Sequence, residues 1–219
     1  MPKLKPKCEY SPRVVAYFPR GANPRLLVIG EAPGPRGANR TGFPFWGDDS
    51  GLDIYGLLEE LGLLDAPLNR WKRGTDLTGT QPPAGRYAVT NACPQMPVLP
   101  DGDFCAPPVE RLEEESARIA KEREALTPHV VLSCGKAAAY TLARASAKLG
   151  VAPPEPLAGT LPSLKLTEAM SDLLAPHHAW NIAGARAFVT CHPARGQWRP
   201  QTPTGKLHVR IVAEVRKAL

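Results

Sequence analysis

Four short apolar runs set the strongest limit on what this chain can fold into: Arg25–Gly30 (RLLVIG), Tyr87–Asn91 (YAVTN), His129–Ser133 (HVVLS) and Ala187–Cys191 (AFVTC). None alternates strictly between apolar and polar residues. Runs of that kind belong to strands buried on both faces. Helical patterns lie between and after them. Leu52–Leu64 repeats leucine at positions 57, 58, 61 and 64. Pro108–Leu126 is charge-rich, with a thin stripe at Val109, Leu112, Ile119 and Leu126. Lys136–Leu149 and Leu207–Leu219 complete the set. Strand and helix thus alternate four times, which predicts a three-layer α/β/α fold around a central four-stranded parallel sheet with right-handed crossovers.

A chain of 219 residues can bury one such core but not two, so a single domain over residues 1–219 is expected. Loop insertions fall at about 65–86, rich in Gly, Pro and Thr, and at about 151–183, which opens with VAPPEPLAG and carries a short helix over Leu166–Leu174. No run approaches the roughly 18–20 apolar residues of a membrane helix. The basic start, Met1 to Lys7, lacks the apolar stretch of a secretory signal. These features predict a soluble, cytoplasmic protein without membrane association; a monomer is expected.

Net charge is +6, unevenly spread. Residues 1–40 carry eight Lys/Arg against Glu9 and Glu31, and residues 184–219 carry seven against Glu214. A fold that joins the two ends would create a basic face suited to a polyanion; scattered solvated charge is the plain alternative. The five cysteines (8, 93, 105, 134 and 191) are widely spaced without a C-x-x-C pair, so no disulfide framework is expected. Cys134 and Cys191 end apolar runs and read as small core residues.

In an open parallel sheet, ligands bind beyond the carboxyl ends of the strands. The first run is followed by Gly30-Glu31-Ala32-Pro33-Gly34, the second ends at Asn91, and the fourth leads into His192-Pro193-Ala194-Arg195. The third leads into Cys134-Gly135-Lys136, a small-residue turn with a cation at the helix start. Each has a bland reading by itself: a common turn, a satisfied histidine, a helix-capping asparagine. A carboxylate, an amide and an imidazole at three strand ends are together hard to explain as packing.

GEAPG at 30–34, Thr41-Gly42-Phe43-Pro44-Phe45, Thr90-Asn91 and His192-Pro193 occur in an order and spacing that resemble the uracil-DNA glycosylase superfamily. The GEAPG loop looks like that of the family 4, iron–sulfur enzymes. The segment PGPRGANRTGFPFWG is similar to that of the single-strand-selective monofunctional enzymes. The resemblance covers about residues 25–60, 87–97 and 129–200.

The resemblance implies a monofunctional DNA glycosylase that starts base excision repair on DNA containing uracil or a related deaminated base. Phe45 would stack on the flipped base, Asn91 would read its edge, and Gly30 and the backbone N–H groups around Ala32 would line the pocket. His192 would stabilise the departing base anion, and Glu31 would hold the attacking water and the cationic sugar. Gly34 stands where the strictest uracil enzymes carry a bulky aromatic, which implies a roomier pocket. Arg195 or Trp198 would be the wedge, and Lys136 and Arg199 phosphate contacts. Family 4 enzymes hold a 4Fe–4S cluster on four cysteines. Here the N-terminus offers only Cys8, Gln95 stands at a ligand position, and Cys93 lies two residues early, so no metal and no cofactor are expected. The rival readings are a non-catalytic DNA-binding member of the fold and a nucleotide-binding hydrolase. The second lacks the Lys-Ser/Thr pair after its Gly-rich turn.

Overall fold

The four apolar runs all become strands, and their shared direction decides where a ligand can bind. The structure is a computed structural model, describing residues 8–219 except 22, 73, 176–177 and 194–195. In chain order the elements are β1 (Glu9–Tyr10), β2 (Leu26–Gly30), α1 (Ala38–Thr41), α2 (Asp49–Glu60), β3 (Tyr87–Asn91), β4 (Pro97–Val98), α3 (Val109–Leu126), β5 (Val130–Cys134), α4 (Lys136–Lys148), α5 (Glu155–Ala158), α6 (Leu166–Asp172), β6 (Trp180–Ile182), β7 (Ala185–Thr190) and α7 (Pro203–Ala218). The main sheet runs β3-β2-β5-β7-β6, and β1 and β4 form a separate antiparallel pair.

Strands β3, β2, β5 and β7 are parallel, in a register that sets Gly30 beside Asn91 and Cys134 beside Thr190. Every residue of β2, β3 and β5 is buried, which explains why these runs carry no polar alternation. The sheet has five strands rather than the expected four. The fifth, β6, is antiparallel and folds back on β7 through Ala183 and Gly184, both at positive φ. It is three residues long and only its middle residue is exposed, too little pattern for the sequence to signal.

Helices flank the sheet. Helix α3 buries Leu112, Ile119 and Leu126 together with two charged residues, Glu115 and Arg123, the latter donating to the Ile182 and Ala183 carbonyls. It packs on α4, an alanine-rich helix whose small side chains allow close approach. Helix α7 begins at Pro203, where the Thr202 hydroxyl accepts from the Gly205 N–H at 2.9 Å. At the outer side of β3, Tyr17 makes an isolated antiparallel bridge to Val89.

The two predicted insertions hold more structure than the sequence showed. Within 65–86, Trp71 is buried against Trp46 and Tyr55, and Glu59 accepts the Leu68 N–H at 2.7 Å. Segment 151–183 supplies α5, α6 and β6. Among the described residues, no helix is long and apolar enough to cross a membrane.

Candidate active site

Chain order switches sides at β2, which sends the chain to β3 on one flank and later to β5 on the other. A crevice opens beyond the strand ends at such a point. Gly30 ends β2 there. A Cβ at Gly30 would lie 2.5 Å from Asn91 Oδ1 and 2.6 Å from Phe45 Cζ, so only glycine lets these side chains meet. Asn91 is 2% exposed, and its Nδ2 is buried without a hydrogen-bond partner among the described residues. An unpaired buried amide is costly, and it marks a place where a ligand completes the bonding.

Phe45 is buried and sits at φ 62, in the left-handed region that a phenylalanine rarely adopts. The surroundings hold it there. A side chain at Gly51 would overlap the Phe45 carbonyl oxygen, and Tyr55 donates its hydroxyl to the Pro44 carbonyl at 3.0 Å. The Phe45 and His192 rings are 6.2 Å apart, tilted by 39°. His192 also abuts the turn into α4, where a Cβ at Gly135 would lie 3.2 Å from its own Cβ. Gly30, Asn91, Phe45, Gly135 and His192 thus form one continuous set of neighbours.

Glu31 follows Gly30 and is anchored by the Cys93 N–H, which donates to its carbonyl at 2.8 Å. Burial raises the Glu31 carboxyl above the usual carboxylate range. Burial also lowers the His192 imidazole below the ordinary histidine value, which favours its neutral form. Ala32 packs against the core edge beside them.

Two residues that sequence reasoning missed support this group. Asp48 stands at the N-cap position of α2 but gives that helix no side-chain bond. Its Oδ2 instead accepts the Ala38 N–H at 3.3 Å. A Cβ at Gly34 would lie 2.8 Å from the same oxygen. Glycine at position 34 is thus what lets the Asp48 carboxylate come this close to the loop. Burial raises the Asp48 pKa, partly opposed by backbone N–H bonds from Ala38 and Gly37. Arg118 of α3 reaches the other wall. Its guanidinium donates to the Asn91 carbonyl and to Thr90 Oγ1, and it pairs with Glu115 and Glu122. The GDD sequence reads as an ordinary cap and Arg118 as one charge of a solvated helix, so neither carried a signal.

The groups expected on DNA are more dispersed. Lys136 extends its Nζ to the Pro162 carbonyl at 2.9 Å, and Arg199 is exposed. Arg195 lies outside the described residues. Trp198 is stacked on His208, with centroids 3.9 Å apart, and donates its indole N–H to the Cys191 carbonyl at 2.8 Å. Several cations of the two basic ends pair with carboxylates of the acidic middle: Arg20 with Asp65, Arg40 with Asp76 and Arg216 with Glu60.

The cysteines do not assemble a four-thiolate site. The fold brings the Cys8 and Cys105 sulfurs together across 97 residues of sequence. Cys93 is buried, its thiol pushed up by burial and donating to the Gln95 carbonyl at 3.1 Å. Gln95 Nε2 donates to the Ser11 carbonyl at 2.8 Å, and the Met96 N–H donates to Ser11 Oγ at 3.2 Å. Among the described residues, no three His, Cys, Asp or Glu side chains are placed to hold a metal ion.

Comparison with known proteins identifies the family. The sequence model of the uracil DNA glycosylase superfamily matches residues 18–216. The type-5 uracil-DNA glycosylase of Pyrobaculum aerophilum is 29% identical over 199 residues, covering 88% of this chain and 70% of that protein. The type-5 uracil-DNA glycosylases of Thermus thermophilus and Mycobacterium leprae are 56% identical over 43 residues and 50% identical over 46. Each of those two matches spans only a fifth of the relative's length.

Proposed function

The chain belongs to the uracil DNA glycosylase superfamily, and on that premise we propose that it hydrolyses the N-glycosidic bond of uracil in DNA and leaves an abasic site. The observation that carries the reading is the buried, unpartnered Nδ2 of Asn91 beside the Phe45 ring. A fixed carboxamide offers one donor and one acceptor, which matches the edge of uracil and opposes an amino group where uracil has a carbonyl. Extruding the base costs a few kcal/mol, which stacking on Phe45 and bonding to Asn91 would offset.

The reaction breaks the bond from sugar C1′ to the base nitrogen. The electron pair leaves with the base, whose anion accepts a hydrogen bond from neutral His192. Water adds to C1′, and its proton passes to the ionised Glu31. Stabilising charge as it develops contributes most of the acceleration in such a site. Strand cleavage through a lysine Schiff base is not part of the reading. Lys136 and Arg199 serve as phosphate contacts. The setting is the cytoplasm and the working form a monomer.

The test is incubation with oligonucleotides carrying uracil, hypoxanthine, xanthine or hydroxymethyluracil, single-stranded and paired, followed by alkali. Breaks at uracil are expected. DNA binding without a break on any substrate would make the protein a non-catalytic member of the fold.

The proposal extends to a protein without an iron–sulfur cluster. Such a cluster needs four thiolates, and the residues present do not fit one: Gln95 stands at a ligand position and donates to the Ser11 carbonyl, and the displaced Cys93 thiol donates to the Gln95 carbonyl. Anaerobically purified protein is expected to be colourless and free of iron by elemental analysis. A brown preparation with stoichiometric iron and acid-labile sulfide would reverse this.

A further inference from the structure

Thr190, Cys191 and His192 leave the sheet together, and the chain then loops back to the start of α7. His208 of that helix meets this loop twice. Its Nδ1 lies 2.9 Å from the hydroxyl of Thr190, a fully buried residue. Its ring is covered by Trp198, at 3.9 Å between centroids and 17° between planes. Trp198 in turn donates its indole N–H to the Cys191 carbonyl at 2.8 Å. The imidazole is therefore tied to the residue two before His192 directly, and to the residue one before it through the tryptophan.

The loop is fastened a second time at its far end. The Thr202 and Thr204 hydroxyls both donate to the Gln197 carbonyl, at 3.2 and 3.1 Å. His208 is 7% exposed, and burial pushes its pKa down to about 4, so it meets Thr190 as a neutral partner near neutral pH. Moving Trp198 out into DNA would break the stack and the indole bond and would open the imidazole to water.

We propose that His208 and Trp198 are positioning residues that brace the His192 loop, and that Trp198 acts as this brace and not as a wedge in DNA. Its consequence for catalysis rests on the glycosylase reading; the brace itself is open to a separate measurement.

The experiment uses the full chain and a uracil oligonucleotide, with single-turnover rate and DNA dissociation constant measured separately. Trp198→Phe keeps a ring over His208 and loses the indole donor; His208→Phe keeps the stack and loses the Thr190 bond. Each is expected to slow excision about tenfold, because small misplacement of a reacting group is costly, and to leave DNA affinity within about twofold. Should His208→Phe fail to fold, Trp198→Phe reads the same loop alone. Weakened DNA binding at an unchanged rate in Trp198→Phe would restore the wedge and overturn the brace. Independently, the Trp198 indole proton in the free protein is expected to exchange slowly with solvent by NMR. Exchange at the rate of an open indole would overturn the brace whether or not the chain excises uracil. A protected indole proton in a chain that excises no base would uphold the brace and sink the glycosylase reading.

Discussion

Replacing Glu31 or His192 by alanine is expected to slow uracil excision by roughly a thousandfold, while DNA binding changes little. The two groups act on opposite charges: the carboxylate on the cationic sugar and its water, the imidazole on the departing base. Their environments separate them further. Burial raises the carboxyl pKa of Glu31 and lowers the imidazole pKa of His192. Glu31 works ionised, so the rate should rise with pH as it loses its proton, at a pH above that of an exposed glutamate. His192 works neutral and, with its lowered pKa, adds no loss of activity towards neutral pH. Glu31→Gln should flatten the acid limb. A rate that instead rises as pH falls would mean the imidazolium is the active form, and the roles above would fail.

The same burial has a stability counterpart. Glu31 binds its proton more tightly folded than unfolded, so its contribution to stability is present below the unfolded carboxyl pKa and is lost as pH rises through the folded one. At neutral pH the native protein carries that cost. Glu31→Gln should accordingly melt higher than the parent protein as it loses activity.

Asn91→Leu should show the second large effect, in two directions at once. Excision is expected to drop by about a hundredfold or more, since a site built to bond a polar edge loses its discrimination with the bonding group. Stability is expected to rise by about 1–3 kcal/mol, the usual cost of an unsatisfied buried donor. Leucine is close to asparagine in shape, so the pocket wall survives. Chemical denaturation of both proteins measures the difference. A leucine variant that is markedly less stable would show that the amide is satisfied in the free protein, which removes the observation on which the functional reading stands.

The sheet and the strand-end residues were legible because they follow from burial. A run such as LLVIG has few alternatives to a strand covered on both faces, and whatever follows it in a parallel sheet arrives at one edge. Glu31, Asn91 and His192 could be grouped on that ground alone. The Gly/Pro-rich loop around Phe45 argues against a core position, yet the structure buries the ring within the core, at a positive φ that no sequence pattern signals. The remainder depended on contacts distant in sequence. Asp48 bonds the first residue of α1 rather than its own helix, Arg118 crosses from α3 to the Asn91 backbone, and Cys8 meets Cys105 across 97 residues. No periodicity encodes such pairings. Strand β6 was lost for a different reason, since three residues are shorter than any pattern that could announce them.

The two outer strands of the sheet have one more consequence. An open row of backbone donors and acceptors invites another chain to add a strand. Here β3 is bridged on its outer side by Tyr17, and at the opposite margin β6 offers a stretch of only three residues. Copies of this chain brought close together would find little template there for pairing sheet to sheet.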